Sequence, residues 1–269
     1  MGKFDGVLLV SDYDATFAEG NNVHPGNLDM LAYFEAEGGR FTIATGRTHC
    51  TFRKIRPLVP FNAPVLMANG ALIYDFETGE TLFESPLPPT VREDMAELSR
   101  QFPKMSLEVY SGENDLYAWN PNLYVRNHIA YTGARSHICP IDEMPFPWEK
   151  AIMEHNHRTL LTFQAEILKR WGDRYEVIFS ADHMLELNAK GCTKGASALR
   201  LAEMLGIQKE NVYCVGDNEN DIAMLEVSAI PFAPENAIPA VKAVPGVVVL
   251  PPCRKGTIAA LIRHLDAIY

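Results

Sequence analysis

The stretch Phe4-Asp-Gly-Val-Leu-Leu-Val-Ser-Asp-Tyr-Asp-Ala-Thr-Phe17 decides how this chain is read. The apolar run Val7 to Val10 suits a strand covered on both faces, and it breaks abruptly into Asp12 and Asp14. Carboxylates do not belong in the interior that such a run predicts unless a cation meets them. The end of this strand is therefore the first candidate site.

Working outward, the same rhythm recurs. Pro25 suits the first turn of a helix in which Leu28, Leu31 and Phe34 fall on one face, and Gly38-Gly39 stop it. Arg40 to Thr45 reads as a second strand and Ala63 to Ala68 as a third, followed by Asn69-Gly70. In the last third, Lys194 to Leu205 is helical in pattern, Asn211 to Val215 is a strand running into Gly216-Asp217, and 229–233 and 247–250 are short apolar runs. Thr257 to Leu265 closes the chain as a helix. Strand, helix, strand in this order indicates a parallel sheet covered by helices.

The middle differs. It opens on Ser85-Pro-Leu-Pro-Pro89, carries all three tryptophans, and alternates in runs such as Leu107 to Tyr110 and Leu116 to Trp119. The expected architecture is an α/β, Rossmann-like core formed by residues 1–82 and 188–269, with an α+β domain of residues 83–187 inserted into it.

Bulk properties narrow the function. The 269 residues carry 24 Lys+Arg against 34 Asp+Glu, a formal charge of −10 with no basic block, which argues against a nucleic-acid partner. No apolar run approaches the ~18–20 residues that span a membrane, and Val7 to Val10 is too short for a signal peptide, so the expectation is a cytoplasmic protein without a membrane partner. The five cysteines form no CxxC pair, and Cys192 reads as a small packed residue. Oligomeric state is not encoded in any pattern found.

In an open parallel sheet, ligands gather beyond the carboxyl ends of the strands. The polar residues found there are Asp12 and Asp14; Thr45, Gly46 and Arg47; and Gly216, Asp217, Asn218, Asn220 and Asp221, with Lys194 opening the helix before the last group. Clustered carboxylates are tolerable around a hard cation, and Mg2+ takes oxygen ligands while sharing carboxylates with a phosphate. Thr45 and Lys194 donate to an anion, which fits a small phosphorylated molecule. Alone, each signal is weak: a DxD pair is commonplace in solvated turns, and Asp217 to Asp221 fails as a calcium loop because Ile222 stands where glycine is required. Their order along the chain carries the reading.

That order resembles the haloacid dehalogenase superfamily. Asp12-Tyr-Asp-Ala-Thr16 is similar to its first motif, Ile43-Ala-Thr-Gly-Arg47 to its second, Lys194 within Lys190-Gly-Cys-Thr-Lys-Gly195 to its third, and Gly216-Asp-Asn-Glu-Asn-Asp221 to its fourth. The stretches 69–74, 193–199 and 216–225 resemble the Cof-type sugar-phosphatase branch, whose large cap lies between motifs two and three.

The resemblance implies a Mg2+-dependent phosphatase of small phosphorylated metabolites, sugar phosphates foremost. Asp12 is the implied nucleophile, Asp14 the acid and base, and Lys194 the charge neutraliser. Thr45, Arg47, Asn220 and the backbone near Tyr13 and Gly46 are implied to hold phosphate. The implied metal ligands are the Asp12 and Asp217 carboxylates and the Asp14 main-chain carbonyl, with Asp221 supporting Lys194 or metal-bound water from behind. The cap is expected to close over the core and choose the leaving group. A phosphotransferase or phosphomutase shares these motifs, and a non-catalytic phosphometabolite-binding protein is a further alternative, disfavoured because every core acid is present. Ala15 departs from the glycine usual in the first motif; its methyl fits a turn with negative φ. His49 reads as an ordinary loop residue, His155 and His157 as surface histidines, and Met224-Leu225 as the buried face of a short helix.

Overall fold

A computed structural model describes residues 2–112 and 115–269. The chain divides into two compact units, one of residues 1–46, 55–83 and 193–269, the other of residues 47–54 and 84–192. The second unit thus includes 47–54, a segment that sequence reading left in the core. Within that unit Lys54 Nζ donates to the Thr132 carbonyl and Arg47 Nη2 to Tyr131 Oη at 3.3 Å.

The first unit is built on a five-stranded parallel sheet in the order Val248–Leu250, Pro231–Pro234, Val212–Val215, Leu8–Ser11, Arg40–Ile43. Leu8–Ser11 lies inside the sheet, next to its last strand, with Ser11 opposite Val215 on one side and Ile43 on the other. Three strands therefore end at one level, which aligns the residues that follow them. Every residue of this interior strand is buried, which explains a continuous apolar run in place of alternation. Leu8, Val10, Val212 and Cys214 share one cluster with Ala198, Leu201, Met224 and Leu225. The first and last long helices, Pro25–Ala36 and Thr257–Asp266, pack against each other.

Two expectations fail locally. The strand Val65–Met67 pairs antiparallel with Leu72–Asp75 in a separate three-stranded sheet and meets the core sheet through an isolated parallel Ala44–Leu66 bridge. In the first helix Leu31 and Phe34 are buried, whereas Leu28 is 40% exposed, its place on the inner face taken by Asn27. Asn27 earns burial through its amide, which accepts from Ala259 N at 3.0 Å and donates to the Phe17 carbonyl at 3.3 Å.

The second unit holds a six-stranded sheet in the order Arg135–Ile138, Asp115–Trp119, Leu107–Ser111, Lys150–Glu154, Met184–Ala189, Tyr175–Ala181. All neighbours run antiparallel except Arg135–Ile138, which runs parallel to Asp115–Trp119. Leu107, Val109, Ala151, Met153, Leu185 and Leu187 face the helices Val91–Gln101 and His157–Trp171, with Trp148 and Trp171 in the same core. The period of two sends Glu108, Tyr110, Ile152 and Glu154 to the opposite face, where the helix Leu123–Thr132 lies. Among the described residues no helix is long and apolar enough to cross a membrane.

Ala15 corrects a sequence expectation: its φ is +62°, in the left-handed region, within a turn closed by its own N–H to the Ala18 carbonyl at 2.8 Å. A Cβ in that region costs ~1–2 kcal/mol, and glycine recovers most of it less its extra unfolded-state freedom. Ala15→Gly is expected to stabilise the protein by ~0.5–1 kcal/mol. The check is a higher urea midpoint at unchanged slope; a lower midpoint contradicts the assignment.

Candidate active site

The first unit gathers its charged residues where the central strands end. Asp12 directly follows Leu8–Ser11, and its N–H donates to the Val215 carbonyl at 2.9 Å, so the strand pairing holds it in place. Asp217 and Asp221 follow Val212–Val215 through Gly216. Gly216 has no alternative here, because a Cβ would come within 2.4 Å of the Asp221 Cβ and Cγ. Lys194 begins the helix Lys194–Met204, capped by the Thr193 hydroxyl, which accepts from Ala196 N. The next residue, Gly195, lets that helix lie on the Ala223 carbonyl, which a Cβ would approach to 2.1 Å.

Lys194 is the hub. Its buried ammonium donates to Asp12 Oδ1 and Asp221 Oδ1, both at 2.6 Å. Asp221 uses its other oxygen, Oδ2, to accept from the N–H groups of Asp217 at 2.8 Å and Asn218 at 3.0 Å. Both Asp221 oxygens are thus committed to holding neighbours. Thr16 Oγ1 donates to Asp217 Oδ1 at 2.7 Å. Asn220 Nδ2 donates to Asn69 Oδ1 at 3.1 Å.

The remaining expected residues fall as follows. Thr45 is 1% exposed, and its carbonyl accepts from Asn69 N at 3.0 Å. The Tyr13 ring is buried, while the Asp14 side chain is exposed and outside the carboxylate cluster. Gly46 ends the first segment of the first unit, whereas Arg47 belongs to the second unit. Thr16 and Asn69 are positioned at the cluster although sequence reading gave them no role. Both were visible as polar residues after apolar runs, the rule that found Asp12 and Thr45.

Oxygen atoms of Asp12, Asp217 and Asp221 lie within 4.8 Å of one another. Three buried carboxylates against one ammonium leave two negative charges uncompensated, an arrangement that favours the neutral acid. Burial is the largest influence on Asp12 and pushes its carboxyl well above the usual range; Lys194 opposes this, and the acids around it add to it. Burial, then Asp221, pushes Asp217 up to about 7, against the Thr16 hydrogen bond and Lys194. Burial alone would lower Lys194, but Asp12 and Asp221 outweigh it and raise the ammonium above its ordinary value. An all-oxygen donor set with an excess of two negative charges fits a hard divalent cation such as Mg2+.

A carboxyl whose value is raised on folding destabilises the fold as pH climbs from its unfolded value toward its folded one. For Asp217 that window runs from 3.8 to about 7. Protein treated with EDTA is therefore expected to lose thermal stability across this range. Added Mg2+ should restore it at the upper end, and Asp217→Asn should flatten the decline. A pH-independent melting temperature without metal would contradict the electrostatics.

The model for haloacid dehalogenase-like hydrolases matches residues 9–261. HMP-PP phosphatase from Escherichia coli O6:H1 is 27% identical over 263 residues, covering 97% of this chain and 92% of that protein. Among solved structures, a haloacid dehalogenase-like hydrolase from Bacteroides thetaiotaomicron has a TM-score of 0.81 at 23% identity, covering 98% of this chain and 99% of that one. A HAD subclass IIB sugar phosphatase has a TM-score of 0.83 at 21% identity, covering 97% and 99%. The two structures establish a shared fold, and the sequence match spans the strand ends that carry Asp12, Lys194 and Asp217. The chain belongs to the haloacid dehalogenase-like hydrolase family.

Proposed function

We propose that this protein hydrolyses phosphate monoesters of small metabolites, sugar phosphates foremost, through a phosphoryl group carried on Asp12. The observation that supports this reading is the buried set of Asp12, Lys194, Asp217 and Asp221, in which one carboxylate oxygen of Asp12 is held at 2.6 Å by an ammonium that also binds Asp221.

The Asp12 carboxylate attacks phosphorus, the ester P–O bond breaks, and the departing alkoxide takes the proton of Asp14. Asp14 then removes a proton from water, which attacks the phosphorus of the aspartyl-phosphate. The acyl phosphate P–O bond breaks and the Asp12 carboxylate is restored. The exposure of Asp14 suits a group that must exchange protons with solvent, and the burial of Asp12 suits one that must not be hydrated. Lys194 favours the ionised form of Asp12 and orients it, Thr16 holds Asp217, and Thr45 and Asn220 donate to phosphate oxygens. Asp12, Asp217 and the Asp14 carbonyl are the groups that would hold Mg2+, which when bound supplies charge neutralisation at the transferring phosphoryl.

The test is release of inorganic phosphate from a panel of sugar phosphates together with HMP-PP, with and without Mg2+. Asp12→Asn is expected to lower kcat by at least ~1,000-fold while the melting temperature is retained. Asp14→Asn is expected to retain the first step with activated esters and slow alkyl esters. Unchanged turnover by Asp12→Asn contradicts the mechanism, and an isomerised sugar phosphate without free phosphate would reassign the outcome to a mutase.

A further inference from the structure

The second unit carries a cluster that the proposed hydrolysis does not use. On the sheet face opposite its apolar core, Glu108 pairs directly with Ile152, and Glu154 lies two residues along the same strand, a diagonal neighbour on that face. His128, on the helix Leu123–Thr132, lies over both. Its Nδ1 is 2.8 Å from Glu108 Oε2 and 2.8 Å from Glu154 Oε1. Glu108 is 0% exposed, Glu154 1%, and the imidazole 17%.

One ring nitrogen bears at most one proton, and one proton makes one linear hydrogen bond. With a proton on Nδ1, one of the two carboxylate oxygens facing it is left without a hydrogen bond of its own. Glu108 Oε1 is a second deficit: it is buried, with no hydrogen-bond partner. Charge gives the same result. Two carboxylates and an imidazolium sum to one negative charge, while the adjacent ammonium of Lys150 is paired with Glu186 at 2.5 Å. Tyr110 and Cys50 are the other titratable groups near, and both carry thiol or phenol protons held on by burial. Burial alone would lower His128, yet the two glutamates outweigh it and raise the imidazole to about 9, so the site holds positive charge strongly.

We propose that Glu108, His128 and Glu154 form a binding site for a first-row divalent cation, Zn2+ foremost. A divalent ion bound by two carboxylates and a neutral imidazole brings the site to zero net charge, and it gives each of the two oxygens facing Nδ1 a partner. One nitrogen among the donors disfavours Mg2+ and Ca2+, which prefer oxygen alone, and suits zinc with three protein ligands and one position left for water. The donor atoms lie within 4.8 Å of one another, close enough to converge on one ion. The partial exposure of His128 supplies the entry path. Binding moves the Nδ1 proton to solvent, so affinity rises with pH.

The experiment titrates Zn2+ by calorimetry into full-length Asp12→Asn/Asp217→Asn protein freed of metal by EDTA, which removes competition from the first unit. One equivalent is expected, tighter at about pH 8.5 than at about pH 6.5. Adding His128→Gln or Glu154→Gln should weaken it beyond the ~10–100-fold that a merely supporting residue commands. Absence of that equivalent, or its survival in both added variants, overturns the proposal. Should those variants fail to fold, crystals of the parent protein soaked in Zn2+ decide it by anomalous scattering. A peak between the three side chains supports the site, and no peak there overturns it. Loss of phosphatase activity is no readout here, so failure of this site and failure of the proposed hydrolysis are separable.

Discussion

A buried lysine bridging two buried aspartates is the constraint on which the first unit depends. Lys194 reaches Asp12 after one strand and Asp221 after its neighbour, and Asp221 in turn grips the backbone at Asp217 and Asn218. Three segments far apart in sequence, at 12, 194 and 217–221, are fixed by one ammonium and one carboxylate. Removing a partner from such a pair strands an uncompensated buried charge, which costs ~3–5 kcal/mol. The same low-dielectric surroundings that make the loss severe make the charges effective on a bound phosphoryl group.

The cluster is over-acidic for a structural device. A fold seeking only stability would place one carboxylate against Lys194, or apolar residues of similar volume. Three clustered acids, with the proton affinity of Asp12 and Asp217 raised, describe a site that is complete only with added positive charge, and the stability it forgoes without that charge is the familiar cost of a functional site. The glutamates around His128 repeat the pattern in the second unit, with nitrogen replacing one oxygen.

Much of this was legible in the sequence because strand ends are. The run Val7 to Val10 falls largely in a fully buried interior strand, Leu8–Ser11, and the polar residues after it and after Val215 are brought together at the strand ends. What sequence hid depends on geometry that residue types do not encode. Ala15 looks innocuous until its φ is seen to be positive. Asn27 displaces Leu28 from the inner face because of a hydrogen bond to Ala259, remote in the chain. Arg47 follows Gly46 directly, yet 47–54 groups with the other unit. Thr16 and Asn69 could have been assigned by applying the strand-end rule to every polar residue. Glu108, His128 and Glu154 could not, since only sheet register and a covering helix bring them within reach.

The most direct measurement is the equilibrium stability of Lys194→Met alone and combined with Asp221→Asn, read from urea unfolding. The account predicts a loss of ~3–5 kcal/mol for the single variant, part of it regained in the double variant once one of the two stranded carboxylates is gone. A Lys194→Met protein within ~0.5 kcal/mol of the parent, or a double variant weaker than either single change implies, would contradict it.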